Sequence, residues 1–477
     1  MKRFLWLGFV LCLYLICSGC GDTFRPIIIP NPPTFPNPKA AHTVVAINDN
    51  GTVVPGTAMV IDVAGDTDVS VVNVSVAPIH AVQQTANEVL VVNQAVTGLN
   101  VPTTSCLVTF PPTPPNQVFN VCSSITKLNF SGTVIGSTST ISLPIYSGAN
   151  FVAVAPSATT AYVTMPTYPK DPTQPQAITP SVGVVNTQSN TMTTIPVGSN
   201  PYALVVTPNN TKLYVANQGD STVSGFNTQG PSQRPGSPAG TTNPPIWLVA
   251  RSDNQRVYVL ESDGTNGTLA WLDTTSTAGP DPLTETTITV PGATKMIYDG
   301  NKNRLYIPGG SQVVIVDVSQ SAPSTIATIP ITAVPPTSRA AGDPCLTTAA
   351  TVLKTIDVGA LPDGSRAYVG TYYKDAADNI CPQVTVVDVA SNTIKSKFAV
   401  PGFPAYDAFC STTRFRVTMA AGGDSSRVYL ASCDGGMVNI IDTTSDTYIL
   451  NLPAPLGVRP GGQQNLPQNP VFLLAGP

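Results

Sequence analysis

Nine cysteines, two histidines and a recurring aspartate hold most of the reactive chemistry available to this 477-residue chain. Cys12, Cys17 and Cys20 crowd the N-terminus, while Cys106, Cys122, Cys345, Cys381, Cys410 and Cys433 are spread through the remainder. None of those six sits in the short C-x-x-C spacing of a zinc knuckle or a dithiol redox site. With only His42 and His80, a histidine-rich zinc or copper centre cannot be assembled, and acid–base catalysis would fall to carboxylates. His80 occupies an inner-strand position, where a lone histidine is more often structural. Asp273, Asp317, Asp388 and Asp442 each close an apolar run. Their recurrence at one point of a repeated pattern indicates turn capping rather than a catalytic set. Asp263-Gly264-Thr265-Asn266-Gly267 lacks the alternating acidic ligands of a calcium loop and reads as a polar turn. No P-loop, G-x-S-x-G or Cys–His–Asp arrangement is apparent. The sequence therefore nominates no catalytic residue, metal ligand or cofactor.

Composition narrows the setting in which these residues work. Charged residues make up 10% of the chain, against roughly 25% in an average globular protein. The net charge of −4 leaves no basic patch, which argues against a nucleic-acid partner. Lys2 and Arg3 precede the apolar run Phe4–Ile16, the layout of a signal peptide and too short to span a bilayer. The signal is expected to cover residues 1–19. Cys17-Ser18-Gly19-Cys20 resembles the bacterial lipobox, with Cys17 where that motif usually carries leucine, and implies lipidation of Cys20. Residues 20–41 then form a proline-rich tether. Its 20 residues from Gly21 to Ala40 reach roughly 60 Å if extended. These features place the expected product in a bacterial cell envelope, anchored by lipid on the periplasmic or extracellular face of a membrane.

In an exported chain, six remaining cysteines read as disulfides, although six permit 15 pairings. Loop neighbourhood favours Cys106–Cys122, Cys345–Cys381 and Cys410–Cys433. The first encloses 15 residues, worth about 3 kcal/mol in the chain-entropy account.

The elements that would position this chemistry are short strands. Tyr202–Val206, Lys212–Ala216 and Thr222–Phe226 are apolar runs separated by polar turns, which reads as an antiparallel meander. The pattern recurs at Leu90, Tyr162, Tyr214, Tyr258, Tyr306, Tyr368 and Tyr429. Four strands per unit, repeated in this way, predict an all-β propeller over residues 42–477. Tyr214-Val215-Ala216-Asn217, with Pro208-Asn209-Asn210 ahead of it, resembles the YVTN-type propeller repeat of bacterial and archaeal surface proteins. The units VVDVASN (386–392) and IIDTTSD (440–446) are related. That resemblance implies an architecture and almost nothing about activity. It fails at Leu90, which replaces tyrosine, and at the proline-rich stretch 230–245, where a fourth strand belongs.

Thr43–Asn48, Ala58–Val63 and Val69–Val74 match the second, third and fourth runs of a unit with no first run, and Asn469–Leu474 is an orphan first run. Joining them completes eight blades, with seven as the alternative, and removes the open edges of an unclosed array.

In such blades a–b and c–d turns share one rim, and b–c and d–a connections share the other. Nearly every long connection in this chain is b–c or d–a, and all six cysteines fall in or beside those segments. The elaborated rim also carries Tyr168, Lys170 and Asp171; Tyr372, Tyr373, Lys374 and Asp375; and Phe403, Tyr406 and Phe409. Aromatic and polar loops suit ligand contact, or else pack the loops onto the ring. The expected function is a monomeric, non-enzymatic binding module for a protein or glycan. An enzyme of the lactonase or quinoprotein-like propeller type and a structural envelope component are the alternatives.

Overall fold

The computed structural model describes residues 42–51, 54–94, 107–110, 117–120, 122–144, 147–156, 158–171, 174–335, 338–345, 353–404, 410, 415–459 and 463–476. The signal, Cys20 and the tether lie outside the described residues. No described helix is long and apolar enough to cross a membrane.

Among the described residues, eight antiparallel sheets are four-position blades, with strands a to d in sequence order in all but the first. Blade 1 is shared between the ends. Its strand a is Asn469–Ala475, and its strands b, c and d are Thr43–Asp49, Pro55–Asp62 and Thr67–Val76. The pairing runs from Val44 opposite Ala475 to Asp49 opposite Asn469, with a one-residue shift between Ile47 and Asn48 where Val471 bulges out of register. Blades 2 to 8 span 78–142, 152–196, 201–240, 245–289, 297–330, 354–399 and 417–453. The architecture is an eight-bladed β-propeller, closed by the pairing of the two ends.

The turns explain why these runs stop where they do. Asp273, Asp317, Asp388 and Asp442 end strand c in their blades, and their carboxylates accept backbone N–H groups two or three residues on, at 2.8–3.0 Å. Asn210, Asn254, Asn303 and Ser425 adopt positive φ in a–b turns, as do Asp66, Asn190, Asn392 and Asp446 in c–d turns. Asn and Asp tolerate that conformation better than branched residues. Blade 4 has no continuous outer strand. Ser232–Gln233 and Ala239–Gly240 each pair with part of Thr222–Asn227, so two fragments fill the fourth position.

The core lies between blades. Tyr162, Tyr214, Tyr258, Tyr306, Tyr368 and Tyr429 of the b strands are at most 2% exposed, and Leu90 fills the same role in blade 2. A polar clasp accompanies them. Lys127, Lys212, Arg251, Arg304 and Arg366 each donate to the carbonyl of the residue directly after strand c of the following blade: Thr187, Thr274, Val318, Val389 and Thr443. Arg427 of blade 8 closes the series on Asp66 of blade 1, at 2.9 Å. Much of the sparse positive charge is thus spent holding neighbours together.

Candidate functional site

Inner a strands meet around the axis, so their inward side chains decide whether the centre is open. Rings fill part of it. His80 of blade 2 stacks on Phe151 of blade 3 with centroids 3.9 Å apart, and tilts against Phe472 of blade 1 at 4.6 Å. Phe151 meets Trp247 of blade 5 edge-on at 5.3 Å, and Trp247 meets Phe415, ahead of blade 8, at 5.8 Å. Edge-on contacts of this kind match the ring quadrupoles. Lys295 Nζ, ahead of strand a in blade 6, lies 5.1 Å from the Phe415 centroid and 2.6 Å from Asp357 of blade 7. Asp357 is 1% exposed and also accepts the Met419 amide of blade 8 at 2.9 Å. Burial pushes its carboxyl up, and Lys295 opposes that shift. His80 therefore belongs to an aromatic plug that draws opposite blades together.

Beyond the plug, at the rim of the a–b turns, is a concavity of about 580 Å³. Val205, Leu248, Val249, Ile297, Ala360 and Leu361 supply apolar wall, and Ser252, Tyr298, Asp299 and Asn301 supply polar edge. The Tyr298 hydroxyl donates to Asn303 Oδ1 at 2.8 Å and lies 3.1 Å from Ser252 Oγ. Asp299 is 6% exposed. Its Oδ1 accepts the amides of Asn301 and Lys302 at 3.0 and 3.3 Å, and its Oδ2 is buried without a partner. Burial pushes this carboxyl up as well.

On the opposite rim, the long connections fold into hairpins: Leu107–Phe110 with Gln117–Asn120, Pro169–Asp171 with Gln174–Ile178, and Leu456–Arg459 with Gln463–Pro467. The strands b and c of blade 7 extend their own hairpin to Lys374 and Asn379. Cys345–Cys381 and Cys410–Cys433 are disulfides, each with Cα atoms 5.8 Å apart. Cys122 is also disulfide-bonded, and Cys106 lies outside the described residues. Asp375 approaches the Cys345 and Cys381 sulfurs, but those sulfurs are bonded to each other and offer no thiolate to a metal.

The aromatic rim residues pack inward. Tyr372, Tyr373 and Phe403 are 7%, 2% and 8% exposed. Tyr373 lies beside the Cys345–Cys381 bridge and under the Arg339 guanidinium. Tyr372 lies under Arg416, whose guanidinium forks onto the buried Asp434 at 2.5 and 2.6 Å. Phe403 lies flat on the backbone at Gly435, where a Cβ would come within 2.4 Å of the ring. The Asp375 carboxylate caps its own hairpin through Ala377 and Asn379. Lys374 is half-buried and lies 3.5 Å from Asp378. Tyr168 is half-buried. Lys170 and Asp171 sit in the strand Pro169–Asp171, with side chains outside the described residues, as are Tyr406 and Phe409. Exposed apolar surface on this rim comes instead from Leu456, at 66%, and Ile178, at 48%. The Asp263 carboxylate is taken up by its own turn, accepting the amides of Thr265 and Asn266 at 2.8 and 2.6 Å.

No protein-family model matches the chain, and no curated protein matches it. Solved structures do. AztD from Citrobacter koseri superimposes in its apo form with a TM-score of 0.53 at 11% identity, covering 91% of this chain and 98% of that one. A second structure of Citrobacter koseri AztD gives 0.55 at 10% identity with the same coverage. The dihydro-heme d1 dehydrogenase NirN in complex with DHE gives 0.57 at 10% identity, covering 94% of this chain and 78% of that one. The likeness is one of fold.

Two clusters were not read from the sequence. Asp281, in the 274–282 connection of blade 5, receives Lys212 at 2.8 Å, Arg234 and the Tyr214 hydroxyl at 2.7 Å. Lys212 and Arg234 also donate to the carbonyls of Thr274, Ser276, Thr277 and Gly279. This knot makes blade 5 an exception, because a long connection appears there on the otherwise plain rim. Glu261 is fully buried, accepts the Asn243 amide at 2.9 Å and leaves Oε1 without a partner. Burial and the neighbouring Glu285 push its carboxyl up to about 7.

Proposed function

We propose that this chain is an exported, lipid-anchored binding propeller that presents its insertion-bearing rim to a protein or glycan of the cell envelope. The observation that carries this reading is the segregation of folded insertions. Three extra hairpins and the extended blade 7 hairpin leave one rim, disulfides stiffen that rim, and two of its hairpins expose Leu456 and Ile178. Binding loops on a rigid scaffold commonly have this distribution, and apolar side chains exposed on loops are natural interface anchors. The inward-packed tyrosines make the rim rigid and leave contact to the hairpin faces.

The rival enzymatic reading needs converging carboxylates or a cofactor at a channel mouth. Lactone hydrolysis or dye reduction by the purified protein would replace the binding reading with that one. A direct test replaces 456–467 with a short turn and measures retention on purified cell-envelope material. Retention should fall about tenfold with an unchanged melting temperature; undiminished retention contradicts the assignment to this rim. Cys20→Ser should separately move the protein from the membrane to the soluble fraction.

A further inference from the structure

We infer that the concavity at the plain rim is a second binding site, built for a compact hydrophobic amine whose ammonium group is received by Asp299. Three observations converge there. The volume of about 580 Å³ lies within the roughly 300–1,000 Å³ range of small-molecule sites. Its wall is aliphatic, contributed by strands a of blades 4 to 7 and the turns that follow them. Asp299 is 6% exposed, yet Oδ2 has no partner while Oδ1 is already used by two amides. A buried acceptor left unmatched costs free energy, which a ligand donor recovers once the Asp299 side chain turns Oδ2, closed to solvent in this structure, toward the concavity.

The sign of the ligand follows from its surroundings. No lysine, arginine or histidine lines the concavity. The nearest cations are engaged elsewhere: Arg304 donates to the Val389 carbonyl and Asn392 at 2.7 and 2.9 Å, and the Lys302 side chain lies over Gly364. A cationic donor therefore meets a carboxyl and no lining cation, with Lys302 and Arg304 acting on Asp299 only through space, whereas an anionic ligand meets repulsion with no lining group to compensate it. Ser252 and the Tyr298 hydroxyl stand at the same edge and are placed to share the remaining ammonium protons. This site lies on the rim opposite the insertions and is independent of any partner bound there.

The test uses three probes of one shape: phenylbutylamine, phenylbutanol and phenylbutyrate, titrated calorimetrically into the folded mature protein near neutral pH. The amine should bind most tightly, the alcohol next and the acid least. Asp299→Asn, which retains an oxygen for the two turn amides, should weaken the amine about tenfold and leave the alcohol nearly unchanged. Ala360→Phe should block all three by filling the wall. The ranking on the unmodified protein needs no variant and stands if a variant fails to fold. Equal binding of amine and acid, absence of binding by all three at millimolar concentration, or amine binding that survives Ala360→Phe would overturn the site.

Discussion

At the scale of single residues, the chain concentrates its cost in a few buried charges. Asp357 and Lys295 pair inside the aromatic plug, and removing one partner strands the other. Asp357→Ala should cost about 3–5 kcal/mol in chemical denaturation, while the double variant Lys295→Met/Asp357→Leu recovers most of that loss. Glu261 provides the pH-dependent counterpart. Its carboxyl sits at about 7 in the folded chain, against about 4.3 for an unperturbed glutamate. The folded state therefore holds the proton more tightly than the unfolded state does. That contribution is complete below about pH 4.3 and disappears as pH rises to about 7. Glu261→Gln should remove this slope and gain about 1–2 kcal/mol over wild type at pH 8 relative to pH 5, after allowance for solvent screening. Melting curves at the two pH values measure it; parallel pH dependence in both proteins would contradict the assignment. The capping aspartates were legible because each recurs at a fixed point of the repeat. Asp281 was not, because it occurs once, in an irregular Gly-Pro-Asp-Pro stretch, and gathers Lys212 and Arg234 from the preceding blade.

At the scale of elements, strand order was legible from spacing alone. The split blade could be read from an orphan first run and a unit lacking one, since both kept their alternation and their turn residues. The outer position of blade 4 could not, since prolines erased the strand pattern and only pairing with Thr222–Asn227 recovers it. The clasps had a sequence signal that is plain in retrospect. A lysine or arginine stands two residues before the buried tyrosine in Lys212-Leu213-Tyr214, Arg304-Leu305-Tyr306, Arg366-Ala367-Tyr368 and Arg427-Val428-Tyr429. Residue type alone does not reveal that the cation reaches the next blade. Arg256 shows why: it stacks over Trp271 at 4.5 Å and pairs with Asp273, and Arg251 makes the inter-blade contact instead. Asp281→Ala tests one such junction. With two cations left uncompensated, it should lose about 3–5 kcal/mol; a loss below 1 kcal/mol, on the scale of an exposed pair, would contradict a buried knot.

At the scale of the whole molecule, two features act together: ring closure and the division of labour between rims. Closure depends on distant residues: Asn469–Ala475 supplies the innermost strand beside Thr43–Asp49, and Arg427 adds the clasp to Asp66, 361 positions away. Deleting 469–477 should lower the melting temperature by about 10 °C or more and expose an unpaired inner edge prone to association. An unchanged melting curve would mean the ring does not depend on that strand. The asymmetry of the rims was legible from connection lengths, but the identity of the contact residues was not. Tyrosines in long loops look like ligand contacts in a sequence, whereas here Tyr372 and Tyr373 lie beneath arginines. The most direct measurement is photocrosslinking in cells, with a photoreactive amino acid placed at Leu456 on the insertion-bearing rim and, separately, at the exposed Thr211 on the plain rim. Binding through the insertion-bearing rim predicts a discrete adduct from Leu456 and none from Thr211; an adduct from Thr211 alone, or from neither position, would contradict it.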